Sequence, residues 1–311
     1  MIQWKTPASG DFLRLKEAAE CSRSLGNDCC AVNLIFYSVK YGTQIAVQNG
    51  FLLRRFREQD GTEVYCFPIP ADFHTAAALE EGNTEQLLSV CRELFSDAEK
   101  NSVPFRFALL TDSQKKTAER LFPGLFEFTE ARESEDYIYL TENLANLPGK
   151  KFHKKKNHIN QFFKKYESCH FEPVSSSNKS DALYIEEQWF LQNGGEGDSG
   201  KEFERIIIKN ILNNYDELEL SGGILYADET PCAFCIAAEI TKDVIDVLFE
   251  KALMPFSKDG AYAVINREFA KTAEKYTYIN REEDLGIEGL RKAKLSYYPD
   301  IILQKWNGEK K

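Results

Sequence analysis

Hydrophobic and polar positions along the chain alternate in two rhythms, one near 3.6 residues and one near two, and each change of rhythm marks an element. Phe12, Leu13, Leu15, Ala18 and Ala19 recur at near-helical spacing and predict a first helix over 11–23. From residue 30 the period shortens. Cys30 to Tyr37 (CAVNLIFY), Thr43 to Val47, Phe51 to Arg57 and Glu63 to Ile69 are short β-branched or aromatic runs. The breaks between them at Asn49-Gly50 and Asp60-Gly61 predict hairpins, so this stretch reads as an antiparallel meander. Asn83-Thr84 then caps a helix from Glu85 to Lys100, with Leu87, Leu88, Cys91, Leu94 and Phe95 as its buried stripe. A strand over 105–110, a helix through Leu121 and strands over 125–129 and 137–140 lead to Pro148-Gly149.

The second half repeats that order. A basic helix is followed by a strand over 170–174, a helix over 181–193 and a glycine loop, NGGEGDSG, at 193–200. A helix over 202–213 precedes alternating strands over 218–227, 232–240 and 244–251. A helix over 261–275, a strand over 276–280, a short helix over 288–294 and a strand over 301–306 complete it. Both halves read helix, meander, helix, strand, helix, strand. The fold class expected is α+β, a tandem duplication of one unit with mixed, mostly antiparallel sheets flanked by helices, divided into 1–147 and 148–311.

Charge adds a feature that the periodicity alone lacks. The chain has a net charge of −10, yet Lys150 to Tyr166 (KKFHKKKNHINQFFKKY) carries seven lysines and two histidines with no carboxylate. On a helical wheel Phe152, Ile159, Phe162, Phe163 and Tyr166 share one arc, opposite Lys154, Lys164, Lys165, His158 and Gln161. Lys155 falls inside the apolar arc and Lys156 on its border, where a lysine either snorkels outward or meets an anion in a cleft. An acidic protein repels polyanions except at such a patch, so Lys154, Lys155, Lys156 and Asn160 are candidates for binding an anionic substrate.

With 43% hydrophobic residues, 22 of them Phe, the chain has ample material for packed cores. The N-terminal stretch has no apolar run behind a basic start, and no stretch reaches the ~20 apolar residues a bilayer span needs, which predicts a cytoplasmic protein without a membrane-spanning segment. Eight scattered cysteines read as small buried hydrophobes; only Cys232 and Cys235 form a C-x-x-C pair, and it lies in a strand without a second pair or a histidine partner. His74, His153, His158 and His170 show no metal-ligand spacing, so no metal is expected. The common hydrolase, P-loop and metalloprotease motifs do not occur.

The order of elements resembles the GNAT acyltransferase fold. FHKKKNHINQF at 152–162, GAYAVINREF at 260–269, YINREEDLGIEGLRKAKLSYYP at 278–299 and YCFPI at 65–69 are similar to the phosphatidylglycerol lysyltransferase C-terminal domain family, a tandem-GNAT group related to Fem-type aminoacyltransferases. The resemblance implies that a cleft in the second unit receives an aminoacyl group from aminoacyl-tRNA and passes it to an amine or hydroxyl acceptor. It implies no tightly bound cofactor, with aminoacyl-tRNA or acyl-CoA as donor, tRNA meeting residues 150–165, and a small molecule or peptide as acceptor. Alternatives are an acyl-CoA N-acyltransferase and a non-catalytic module binding RNA or a phosphate ligand on a GNAT core. The segment MPFSKDGAYA keeps Gly260 at a helix start but lacks the second glycine and the Arg or Gln of acetyl-CoA enzymes; Lys258 is placed to supply a positive charge.

The densest group of candidates is NREEDLGIEGLRKAK at 280–294. Glu282, Glu283 and Asp284 follow a strand end, where a carboxylate with a tuned pKa can deprotonate an attacking amine. Arg291 and Lys294 lie one helical turn apart and suit a carboxylate or phosphate; the other reading of this group is an Arg291 salt bridge to a capping acid. Asn280, Tyr262 and Asn266 are further binding candidates, followed by Arg267 and Glu250.

Overall fold

The computed structural model describes residues 2–311. Asn49 and Gly50 both take positive φ, 49° and 80°, and this two-residue turn sets the first hairpin with Gln48 opposite Phe51. The strands are β1 (Gln44–Gln48), β2 (Phe51–Arg57), β3 (Glu63–Cys66), β4 (Ile69–Pro70), β5 (Arg106–Thr111), β6 (Phe126–Glu130) and β7 (Asp136–Leu140). They continue as β8 (Cys169–Pro173), β9 (Ser221–Ala227), β10 (Thr230–Thr241), β11 (Val244–Ala252), β12 (Tyr278–Asn280), β13 (Ile301–Leu303) and β14 (Lys305–Lys310). The helices are α1 (Phe12–Cys21), α2 (Ala31–Phe36), α3 (Ser38–Tyr41), α4 (Phe73–Glu80), α5 (Glu85–Lys100), α6 (Asp112–Leu121) and α7 (Thr141–Asn146). After them come α8 (His153–Lys165), α9 (Lys179–Gln192), α10 (Ser199–Asn213), α11 (Phe256–Asp259), α12 (Ala261–Thr272) and α13 (Glu288–Leu295).

The chain folds into two units. The first comprises Met1–Tyr137, Glu282–Lys294 and Ile301–Lys311. Its sheet has the order β1-β2-β3-β5-β14-β6, with β4 also on β2; β3 and β5 run parallel and the other pairs antiparallel. The stripe on α5 (Leu87, Val90, Cys91, Leu94, Phe95, Ala98) is buried on this sheet. There Phe95, Phe105 and Phe107 meet edge to face at centroid distances of 4.6 and 4.8 Å, an arrangement worth ~1 kcal/mol per pair beyond area burial. Thr111 and Gln114 form a reciprocal capping box at the start of α6.

The second unit comprises Ile138–Arg281 and Leu295–Asp300. Its sheet runs β7-β12-β11-β10-β9-β8. β11 and β12 are parallel, while β8–β9, β9–β10, β10–β11 and β7–β12 pair antiparallel. The β11–β12 ladder ends where Asp246 faces Asn280, while β11 continues to Ala252. The candidate site is built beside the part of β11 that runs on beyond β12.

Two sequence expectations change here. Cys30–Tyr37 is not a strand: α2 occupies it and α3 follows at once, and Ala31, Val32 and Ile35 are buried at helical spacing, so packing overrides the β preference of Val, Ile and Phe. The two units also interleave in sequence. β7 precedes Pro148 yet pairs with β12, and the stretch expected as one last strand breaks into β13 and β14, with β14 entering the first sheet. Lys305 anchors β14 there; it is 1% exposed, bonds Asp28 and lies 3.7 Å from Asp136.

Candidate functional site

In the second unit the apolar face of α8 inserts Ile159 and Phe162, both fully buried, while Phe163 stays partly exposed under the Arg267 guanidinium. Lys155 lies one turn ahead of Ile159 and is carried toward the interior by the same face. Its Nζ stands 3.7 Å from the centre of the Tyr297 ring. Arg281, the residue after β12, reaches Glu250 of β11 across the gap between the strands at 3.0 Å. The Arg281 guanidinium also faces Tyr297 and Tyr139, at 5.0 and 5.9 Å. Asn266 of α12 donates to the other Glu250 oxygen at 3.4 Å. Burial, with repulsion from Arg281, lowers the Lys155 ammonium to about 8, and Glu250 offsets this only in part.

The polar interior continues along β11. Lys251 bonds Glu204 of α10 and lies 3.5 Å from the centre of the Trp189 ring. Tyr262, one turn before Asn266 on α12, accepts hydrogen bonds from the Trp189 indole and the Ala252 amide and feels both Glu250 and Glu186. Burial pushes its phenol up. Glu186 of α9 is 2% exposed, and neither carboxylate oxygen has a hydrogen-bond partner among the described residues. Burial raises its carboxyl to about 7, with Lys251 opposing and Glu204 reinforcing the shift.

Lys155, Glu250, Tyr262 and Asn266 are thus the sequence candidates gathered at one place. Lys154, Asn160 and Lys258 are exposed, Lys156 is half-buried, and Asn280 is fully buried in β12. Gly260 has φ 114°, and a Cβ there would lie 2.8 Å from the His158 carbonyl oxygen. The glycine therefore lets α8 approach the start of α12. Asp259 occupies the same corner, held by Lys165 and Tyr166 at 2.6 Å each.

The three consecutive acids have separate environments within the first unit. Asp284 is fully buried and accepts from Arg291 at 2.7 and 3.0 Å, Tyr137 at 2.6 Å, Arg132 at 3.4 Å and the Gly286 amide at 2.9 Å. These donors, Arg291 foremost, hold it well below the usual carboxylate range. Glu283 accepts from Asn27 at 2.5 Å, and Lys294 bonds the Glu283 carbonyl. Glu282 accepts from Asn33 at 3.0 Å, and burial beside Glu283 raises its carboxyl to about 8. Arg291 is thereby committed to Asp284. An open groove of about 690 Å³ along α5, lined in part by Glu85, Leu88, Arg92 and Asp97, includes none of the candidates.

Arg281, Glu186, Glu204, Lys251 and Tyr297 were not singled out from the sequence. Glu186 had a readable signal. It sits between Ala182 and Phe190 at i, i+4 spacing, an acid inside an apolar stripe, as Lys155 is a base inside one.

Two units, each a mixed sheet flanked by helices, make this a tandem GNAT-like fold. The chain belongs to the family described as phosphatidylglycerol lysyltransferase, C-terminal, whose model matches residues 33–307. It is similar to a conserved protein of unknown function from Bacteroides thetaiotaomicron, with 36% identity, TM-score 0.89 and complete coverage of both chains. L-PGS from Bacillus licheniformis shares the fold at 12% identity and TM-score 0.64, over 98% of this chain and 93% of that one. An uncharacterised protein of Mycoplasmoides gallisepticum is 24% identical over 176 residues, 56% of this chain; the match spans about half, 55%, of that relative's length. Among the described residues no helix is long and apolar enough to cross a membrane.

Proposed function

We propose that the protein transfers an aminoacyl group from aminoacyl-tRNA to an amine or hydroxyl acceptor, with the chemistry in the interior of the second unit. The observation that carries this reading is Lys155: a lysine on the most basic helix, half-buried against Tyr297, with its pKa lowered to about 8 beside the Arg281–Glu250 pair. An amine that titrates near neutral pH is suited to general acid–base work.

In this reading the acceptor attacks the ester carbonyl carbon, and Lys155 in its neutral form takes the proton the acceptor loses. The tetrahedral intermediate collapses as the carbon–oxygen bond to the ribose breaks, and Lys155 returns the proton to that oxygen. Arg281, fixed by Glu250, supplies positive charge beside the developing oxyanion. The lysines exposed on α8 give the donor's phosphates a cationic approach. Support for tRNA over acyl-CoA comes from the start of α12, where the His158 carbonyl and the Asp259 carboxylate crowd the place a pyrophosphate takes at such a helix terminus.

The test is transfer itself. Purified protein is incubated with labelled aminoacyl-tRNAs and, separately, labelled acetyl-CoA, each with a cell-extract pool of acceptors. Label passing from tRNA to a new product, and lost in Lys155→Met, is the expected result. Label from acetyl-CoA alone overturns it in favour of an acyl-CoA enzyme. Salt-sensitive tRNA binding without any product overturns it in favour of a binding module.

A further inference from the structure

The least compensated group in the second unit is Glu186. Removing a carboxyl group from water without a hydrogen bond costs several kcal/mol in an apolar surround, and even the protonated form has an O–H that wants an acceptor. Glu186 is 2% exposed with both oxygens unpartnered among the described residues. Its neighbours do not relieve it. Lys251 of β11 is spent on Glu204 of α10, and Arg205 turns outward to Glu187 at 3.0 Å. Two acids, Glu186 and Glu204, therefore face one buried lysine, and Arg205 adds only a weaker pull on Glu186.

A second orphan lies on α12. The Asn266 amide gives its N–H to Glu250, and its carbonyl oxygen, buried with a residue that is 3% exposed, has no partner among the described residues. Tyr262 joins the two positions: it is one turn from Asn266 on α12 and feels the charges of both Glu250 and Glu186. The unsatisfied atoms of Glu186 and Asn266 are acceptors. What they lack is a compact donor carrying one positive charge and several N–H groups.

We propose that Glu186 binds a primary ammonium group of a substrate. This rests on the function above only in treating the interior of the second unit as a substrate site. Two sources share this chemistry, the ammonium of the aminoacyl group being transferred and that of a free amine acceptor. Lys251 keeps Glu204 occupied, so Glu186 remains for the ligand, and Trp189 and Tyr262 wall the space with aromatic surface that favours a cation.

Titration calorimetry on the full chain tests it with L-lysinamide, L-alaninamide, n-butylamine and tetramethylammonium, each at pH 7 in two buffers of different ionisation enthalpy. A carboxyl held up to about 7 is about half protonated there. Binding of a primary ammonium is expected to release about half a proton per site. Tetramethylammonium, which has no N–H, is expected to bind at least about tenfold more weakly. Glu186→Gln, nearly isosteric, is expected to weaken the primary amines about tenfold or more and to abolish the proton release. Preference for the two amides over n-butylamine assigns the site to the donor's aminoacyl group; equal binding of n-butylamine assigns it to an amine acceptor. The proposal is overturned if no primary amine binds with proton release, or if Glu186→Gln binds them unchanged. Proton-linked binding without transfer from aminoacyl-tRNA would defeat the function and leave this site standing. Transfer with amine binding indifferent to Glu186 would do the reverse.

Discussion

Asp284 and Arg291 face each other in a two-point ion pair, 2.7 and 3.0 Å long, on a carboxylate that is wholly buried. The arginine is part of what holds the 282–294 segment in the first unit, together with Arg132 and Tyr137. Replacing Asp284 by Asn leaves Arg291, Arg132, Tyr137 and the Gly286 amide facing a neutral amide and is expected to cost about 2–4 kcal/mol. Because the folded pKa is depressed, the contribution is present above pH ~4 and is lost as pH falls below it. Urea unfolding of wild type and Asp284→Asn at pH 7 and pH 3 checks both points. A variant as stable as wild type but inactive would return Asp284 to the catalytic role that its position after a strand suggests.

Lys155 makes an opposite prediction about pH. Its folded pKa, about 8, lies below that of an unfolded lysine, so the protonated form is disfavoured by folding. The penalty is complete below pH 8 and gone above pH ~10.5. Lys155→Met is therefore expected to unfold at a higher temperature than wild type at pH 6.5, while losing about 100-fold or more in transfer rate. Lys155→Arg, permanently charged, should lose the rate as well, and the wild-type rate should climb with pH to a plateau past 8. A flat profile between pH 6 and 9 would remove Lys155 from proton transfer.

For Glu186 the raised carboxyl means the folded chain holds a proton the unfolded chain gives up. Its unfavourable contribution is absent below pH ~4.5 and complete above about 7. Glu186→Gln should thus stabilise the fold by about 1–3 kcal/mol at pH 8 and have little effect at pH 4.5. Equal unfolding midpoints at pH 8 would mean that the wild-type carboxylate finds partners when it ionises.

Gly260→Ala tests the approach of α8 to α12. The added carbon would sit 2.8 Å from a backbone oxygen at φ 114°, a combination that only movement of a helix relieves. A loss of about 2–4 kcal/mol is expected by denaturant titration. A loss below ~1 kcal/mol would mean that the two helices can part there without cost.

Most elements were legible because their periodicity was clean: α5 begins at Glu85 and ends at Lys100 as its stripe predicts, and the Asn49-Gly50 turn sits where its residues demand. Cys30–Tyr37 was misread because its residues favour strands in isolation and only the burial of Ala31, Val32 and Ile35 on one side makes a helix preferable. At the site, Lys155 was visible as a base in an apolar arc. Glu250 was visible as an acid at a strand end, but Arg281 was not separable from other charged residues, since its pairing with Glu250 depends on where the β11–β12 ladder ends, a long-range property. Adjacent acids in sequence gave a false sense of unity to Glu282, Glu283 and Asp284: the first two meet Asn33 and Asn27 of one N-terminal segment, whereas Asp284 pairs with Arg291.

β14 lies between β5 and β6, hydrogen-bonded to both. On a ribosome, β5 and β6 emerge roughly two hundred residues before the strand that joins them, a separation set by Arg106–Glu130 and Lys305–Lys310. Until then both strands carry an open edge, and Phe107 and Phe126 have only part of their cover. The first half of the chain to be translated is therefore the last to be completed, and a chain released before residue 305 would carry into the cell two unpaired strand edges where a finished sheet should be.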